Sequence, residues 1–278
     1  MRLRIAHSTT YRYEPPASGV IQVLRMSPTS HDGQYVVRWQ IETSSDTKLD
    51  SHIDAFGNLT HVLSHGPIAD LAIHVEGLIE TSDTGGVLKG TDERFPPSLF
   101  LRSTALTEAS PAMTRLAQEL RGDFGDDVLG FLHALMTKIN EIVTFDTDPT
   151  HSGTSAAEAF ALKRGVCQDY AHIFIACARQ GGVPARYVAG HFLRADGVVH
   201  QEAGHAWVEA YVPNLGWVGF DPANAICTTE AHARFAVGLD YRGAAPVRGT
   251  RYGGGAETLT VEVKVEPVGR PNQSRVLR

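Results

Sequence analysis

The stretch GVCQDYAHIFIACARQGG, residues 165–182, decides the fold because it places a reactive side chain at the first residue of a helix. Apolar residues recur there at helical spacing and form one stripe, at Tyr170, Ile173, Phe174, Cys177 and Ala178. Gly165 lets the backbone turn sharply before Cys167, and Gly181 and Gly182 end the pattern. The stretch therefore predicts a helix that begins at Cys167.

Cys167 is the candidate nucleophile. A helix N-terminus offers free N–H groups and the positive end of the helix dipole, which favour a thiolate and can receive an oxyanion. A lone cysteine is more often a small buried hydrophobe, but the motifs that follow favour a catalytic role. Cys177 lies on the apolar stripe and is interpreted as a core residue, and no role is assigned to Cys227. Asp169 and His172 are interpreted as structural supports.

His205 and Asp221 are the predicted partners of the thiol. His205 opens the strand pattern HAWVEAYV, and Asp221 ends the strand pattern WVGFD, with a turn at residues 213–216 between them. A histidine titrates near neutral pH and can carry the proton of the thiol, while a carboxylate fixes the tautomer of the histidine. The predicted catalytic residues are Cys167, His205 and Asp221.

A simple hairpin places these two residues poorly. If the turn is centred between Asn214 and Leu215, Asp221 faces Val208, which is roughly 10 Å along the strand from His205. We therefore expect a β-bulge near Gly216, or an Asp221 that lies just past the strand end and folds back.

The remaining sequence divides into a β-rich start and a mixed region. Residues 1–81 contain four runs of β-branched and aromatic residues separated by turn signals, which predict a β-sandwich or barrel. The stretch SDTGGVLKGTDERFPPS, residues 82–98, is the predicted linker. Helical periodicity follows, with Ser110 and Pro111 as a helix start and Ser155 as a second cap. We predict an N-terminal β domain at residues 1–90 and a catalytic domain at residues 91–278.

Composition excludes several classes of function. The net charge is −6 and the basic residues are scattered, so nucleic acid is not an expected partner. No apolar run reaches the roughly 18–20 residues that span a bilayer, so no membrane segment is expected. Three cysteines and a start that lacks an apolar signal region favour a cytoplasmic protein.

Neither a metal nor a cofactor is expected from the motifs. The sequence has no CxxC and no HExxH, and Asp123, Asp126 and Asp127 do not follow the spacing of an EF-hand loop. Trp207 and Trp217 are interpreted as packing residues that also wall the cleft.

The strings GVCQDYAHIF, GVPARYVAGHF, GHAWVEAYVPNLGWVGFDPAN and FAVGLDYRGAAPVRGT resemble the core of the bacterial transglutaminase-like proteins, a branch of the transglutaminase and papain-like cysteine enzymes. The resemblance runs from about residue 154 to residue 249, and the β-rich start resembles the N-terminal domain that often precedes this core. It implies an α+β fold with a Cys167, His205 and Asp221 triad, the cysteine on a helix packed against an antiparallel sheet.

Three positions depart from the family pattern. Gly204 stands where Ser is usual, Ala223 where Thr is common and Leu239 where Arg is common. No member of the triad is lost, and the usual substrate preference of the family is not carried over because this Arg is missing.

The expected reaction is acyl transfer from an amide or peptide through a thioester, with hydrolysis preferred over amine transfer. Protein cross-linking by a glutamine gamma-glutamyltransferase, an arylamine N-acetyltransferase-like reaction and a non-catalytic peptide-binding module remain the alternatives. The expected partner is a peptide or protein amide, and the resemblance adds a possible setting beside peptide ligases of the ATP-grasp type.

Overall fold

Two antiparallel sheets and a layer of helices build an α+β fold, in a computed structural model that describes residues 1–269. The strands, in chain order, are β1 (Arg2–Leu24), β2 (Gln34–Thr43), β3 (Asp50–Ile53), β4 (Leu59–His65), β5 (Ile68–Thr81), β6 (Val87–Leu88), β7 (Thr144–Phe145), β8 (Arg164–Gly165), β9 (Ala185–Phe192), β10 (His200–Gln201), β11 (His205–Val212), β12 (Gly216–Asp221), β13 (Ile226–Cys227), β14 (His232–Gly238), β15 (Val247–Gly253) and β16 (Ala256–Pro267). The helices are α1 (Pro111–Phe124), α2 (Val128–Ile142), α3 (Ala156–Leu162), α4 (Cys167–Gln180) and α5 (Tyr241–Ala244), with a 3₁₀ turn at Pro97–Leu101.

The first sheet is organised around β1, whose side chains alternate between buried and exposed positions over its first half. This half pairs with β5 on one side and with β16 on the other, and the second half pairs with β4 and β15. The predicted β-rich start is thus confirmed. The sheet also contains β15 and β16, and the division at residues 90 and 91 stays a prediction.

Part of the predicted linker at residues 82–98 is held against the second sheet. Strand β6 pairs with β12, where Leu88 lies opposite Trp217. Glu93 forms an ion pair with the buried Arg186, at 2.6 Å. Gly85 and Gly86 have positive φ angles, so these glycines mark a tight turn.

The second sheet carries the strands that hold the candidate site, in the order β13-β12-β11-β9-β14. Helix α4 packs on β11 and β9, and the helices α1, α2 and α3 surround it, so that most of α4 is buried. Cys177 is fully buried there, and burial raises the pKa of its thiol to about 12. Its interpretation as a core residue is confirmed.

The helix starts agree with the capping signals. The Ser110 hydroxyl accepts a hydrogen bond from the Met113 amide, with Pro111 at the first helical position. Ser155 and Glu158 form a capping box at the start of α3. Among residues 1–269, no helix is both long enough and apolar enough to cross a membrane.

Gly190 provides a test of how tightly the sheet around the site is packed. A Cβ at Gly190 would lie 2.1 Å from the Ala233 carbonyl oxygen and 2.4 Å from Trp207 Cη2. We expect Gly190→Ala to lower the free energy of unfolding in urea by about 1–3 kcal/mol, because β14 and the indole must shift. Gly122→Ala is the control, since nothing lies within 4 Å of its added Cβ in α1. The control should raise stability by about 0.5 kcal/mol, and equal stabilities for the two variants would contradict the packing described.

Candidate active site

Cys167 is the first residue of α4, and the carboxylate of Asp169 fixes the chain that leads into it. Asp169 Oδ2 accepts hydrogen bonds from the Val166 amide at 2.8 Å and from the Thr150 hydroxyl at 2.7 Å. A Cβ at Gly165 would lie 2.5 Å from the same oxygen, so only glycine fits at this position. The burial of Asp169 raises its pKa, and the two hydrogen bonds oppose that rise. Asp169 thus holds the backbone on which the thiol is presented.

His205 and Asp221 lie side by side at the ends of β11 and β12. His205 Nε2 is 2.6 Å from Asp221 Oδ2, and the Asp221 carboxylate is fully buried. Burial lowers the pKa of His205, but the Asp221 charge and its hydrogen bond, together with Cys167, outweigh burial and raise it to about 10. Burial likewise raises the pKa of Asp221, and the neighbouring histidines outweigh that effect and hold it well below its usual range. The pair is therefore an imidazolium and a carboxylate near neutral pH.

Cys167 lies close enough to the His205 ring to raise its pKa. Because Nε2 of that ring is bonded to Asp221, Nδ1 is the nitrogen left for the thiol. The structure thus brings the three predicted residues together, with His205 hydrogen-bonded to Asp221 and Cys167 close to the imidazole ring. Their catalytic roles stay a prediction.

The hairpin brings His205 to Asp221 through one extra residue beside Gly216, where Val212 both pairs with Gly216 and accepts a hydrogen bond from the Leu215 amide at 3.1 Å. Val212 pairs with Gly216 and Val208 with Phe220, without a bulge in between. The turn contains three residues, 213–215, and the backbone has positive φ at Asn214 and Gly216. This turn shifts the register by one residue, so that His205 and Asp221 project from the same face of the hairpin.

Sequence reasoning missed two further partners of Asp221. Asn224 donates its backbone N–H to Asp221 Oδ1 at 3.2 Å and its side-chain amide to Oδ2 at 2.7 Å. His232, on β14, places Nε2 3.2 Å from the same Oδ2. The sequence does contain a signal for the role of Asn224, since an Asn three positions after an Asp is suited to a turn that brings its amide back to the carboxylate. His232 gave no local signal, because only the sheet brings β14 to this place.

Aromatic rings enclose the two histidines. The centroid of the Phe192 ring lies 5.2 Å from that of His205 and 4.6 Å from that of His232. Trp207 is almost fully buried and meets His232 edge to face at 5.3 Å. These rings keep water from one side of the histidine and carboxylate pair, which strengthens the interaction between the charges.

The donor atoms of His205, Asp221 and His232 lie within 4.8 Å of one another, a spacing that a small metal ion could bridge. Nε2 of His205, Nε2 of His232 and the Asn224 side-chain amide all approach Asp221 Oδ2 at hydrogen-bond distances. Because N–H groups already use the lone pairs of that oxygen, the donor set fits a shared carboxylate better than a metal centre.

Comparisons with known proteins agree with this fold. Residues 114–222 match the transglutaminase-like superfamily, and residues 3–80 match the bacterial transglutaminase-like N-terminal region. A crystal structure of a candidate cysteine protease from Cytophaga hutchinsonii covers 98% of this chain and 92% of its own, with a TM-score of 0.75 at 20% identity. That likeness shows the fold.

Two sequence relatives are informative. An uncharacterized protein of Mycobacterium leprae is 29% identical over 283 residues, which are 95% of this chain and 98% of the relative. A protein-glutamine gamma-glutamyltransferase of Pseudomonas aeruginosa is 30% identical over 158 residues, which are 52% of this chain and 24% of that protein. The chain belongs to the transglutaminase-like superfamily, whose members are generally cysteine enzymes, and carries the bacterial N-terminal region.

The charge on Asp221 should control the protonation of His205. In an Asp221→Asn variant, burial is opposed only by Cys167, so the His205 pKa should fall from about 10 toward its ordinary value of about 6.5. Titration of the histidine ring protons by NMR measures this pKa. An unchanged His205 pKa in the variant would contradict the ion pair.

Proposed function

We propose that the protein hydrolyses an amide or peptide bond, with Cys167 as nucleophile, His205 as the proton carrier and Asp221 as the group that orients it. The observation that carries the proposal is one arrangement: a cysteine at the start of a buried helix, within reach of a histidine whose other nitrogen binds a fully buried carboxylate. Each group answers one requirement of thiol-dependent acyl transfer.

The resting site already holds the proton that the reaction needs. Because the pKa of His205 is raised to about 10, the ring is an imidazolium near neutral pH. A cation beside a thiol favours the thiolate, and the N-terminus of α4 favours it further. The acid of the reaction is therefore in its active form before the substrate binds.

In the first half of the reaction, the Cys167 sulfur attacks the carbonyl carbon, a C–S bond forms, and the N–H groups at the start of α4 receive the oxyanion. His205 gives its proton to the amide nitrogen, the C–N bond breaks, and an amine leaves. In the second half, neutral His205 takes a proton from water, the hydroxide attacks the thioester, and the C–S bond breaks. This step releases a carboxylic acid and restores the thiolate and imidazolium.

Amine transfer is the second candidate, and the 30% identity to a protein-glutamine gamma-glutamyltransferase favours it. An amine then replaces water in the second half and yields a new amide bond. Hydrolysis is preferred here because an intracellular protein cross-linker would be hazardous to the cell that makes it. The substrate class proposed for both reactions is a peptide or protein amide, and a cytoplasmic location would keep the Cys167 thiol reduced.

Alkylation of the native protein tests the activated thiolate. At pH 7 iodoacetamide should modify Cys167 more than about tenfold faster than a free cysteine, because an ordinary thiol is only a few per cent ionised there. His205→Ala should remove this advantage, whereas His52→Ala, a change at an exposed histidine of β3, should not. Peptide mapping measures each site, and Cys177 and Cys227 are internal controls because burial raises the pKa of both thiols.

Labelling of an accessible Cys167 no faster than that of a free cysteine would contradict the proposal. That outcome would favour the non-catalytic peptide-binding module instead.

Product analysis separates hydrolysis from amine transfer. We incubate the protein with a glutamine-containing peptide library and a primary alkylamine, and identify the products by mass spectrometry. The expected products are carboxylates and cleaved peptides, formed by the wild type and absent with Cys167→Ala. Alkylamide as the main product would establish the transferase alternative.

A further inference from the structure

We propose that His232 is a positioning residue, which donates a hydrogen bond to Asp221 Oδ2 and thereby keeps His205 aimed at Cys167. The inference rests on the proposed function, in which His205 and Asp221 serve Cys167. The sequence reasoning did not include His232, and the geometry assigns it to the same carboxylate as His205.

The tautomer of His232 is fixed by its surroundings. The Thr229 backbone N–H donates to His232 Nδ1 at 3.1 Å, and a backbone amide can only donate. Nδ1 is therefore an acceptor, and the proton of the neutral ring must be on Nε2. Since Nε2 lies 3.2 Å from Asp221 Oδ2, it donates to the carboxylate. Burial lowers the pKa of His232, which agrees with a neutral ring.

The donors to the carboxylate come from separate parts of the fold. His205 belongs to β11, Asn224 to the turn after β12, and His232 to β14. Asn224 moves with Asp221 because it lies only three positions further along the chain. His232 is held independently: it pairs with Phe192 in the sheet, and its ring contacts the rings of Phe192 and Trp207. It therefore anchors the carboxylate to the far strand of the sheet.

The two histidines that share one carboxylate have different charges. Asp221 and His205 are the titratable groups that act on His232, and the centroids of the two imidazole rings are 6.2 Å apart. A second positive charge at that distance would be unfavourable in a buried site. His205 takes the proton because it also faces the thiol, and His232 stays a neutral donor.

Two substitutions separate the donor function of His232 from its structural role. In His232→Gln, the side-chain amide can occupy the place of ring Nε2 and still donate to Asp221. In His232→Asn, the side-chain oxygen can occupy the place of ring Nδ1 and accept from Thr229, but the donor to Asp221 is lost. Both variants lose the aromatic ring, so the loss of its contacts is common to the two.

The readout is the rate of Cys167 alkylation as a function of pH, with thermal unfolding as a check on the fold. A hydrogen bond to a charged group supports an expected loss of about tenfold in the pH 7 rate for His232→Asn. The pH of half-maximal labelling should rise in this variant, because a poorly held carboxylate stabilises the imidazolium less. The alkylation rate of His232→Gln at pH 7 should stay within about threefold of the wild-type rate.

The outcomes are distinct. Wild-type rates for His232→Asn, or equal losses for both variants, overturn the inference and leave the proposed function standing. If the labelling of Cys167 in the wild type does not depend on His205, the proposed function and this inference are overturned together. If His232→Asn does not fold, ¹⁵N NMR of the wild type decides: a neutral ring with its proton on Nε2 supports the inference, and a proton on Nδ1 overturns it.

Discussion

The buried charge of Asp221 is the constraint around which the second sheet is arranged. A carboxylate taken out of water without partners costs several kcal/mol, and Asp221 has no exposed surface. The N–H groups of His205, Asn224 and His232 offset that cost. The same hydrogen bonds fix the orientation of the carboxylate. They therefore both stabilise the buried charge and orient the His205 imidazole toward the thiol.

Strand β11 joins this site to a second group of buried charges. His205, Trp207 and Glu209 alternate along one face of the strand, with the indole between the two polar ends. Glu209 accepts from Arg186 and Arg234, both at 2.7 Å. Arg186 belongs to β9 and Arg234 to β14, so these two ion pairs tie both strands to β11. The pKa of Glu209 is lowered to about 2, since these cations outweigh the effect of its burial.

The sequence predicts what depends on neighbours along the chain and misses what depends on neighbours across the sheet. The start of α4 at Cys167 and the cap at Ser110 follow from glycine, proline and hydroxyl positions within a few residues, and the structure contains both. The register of the hairpin depends on one extra turn residue, which composition does not specify. Glu93 lies in a segment whose composition is typical of a linker. Its ion pair with Arg186 has no local signal, because the two residues are 93 positions apart along the chain.

The N-terminal region takes part in the geometry of the site through β14. The Gln34 side chain accepts from the Arg234 backbone N–H at 2.8 Å and donates to the Arg234 carbonyl at 2.9 Å, where the pairing of β14 with β9 shifts. Asn58 bonds the Val237 backbone in the same two-fold manner, at 2.8 Å for both bonds. These amides satisfy polar groups on the outer edge of β14, which among residues 1–269 has a neighbouring strand on one side only. Strand β14 also carries His232, which binds the Asp221 carboxylate. By holding β14 in place, the N-terminal region therefore stabilises this carboxylate, although it contributes no side chain to the triad.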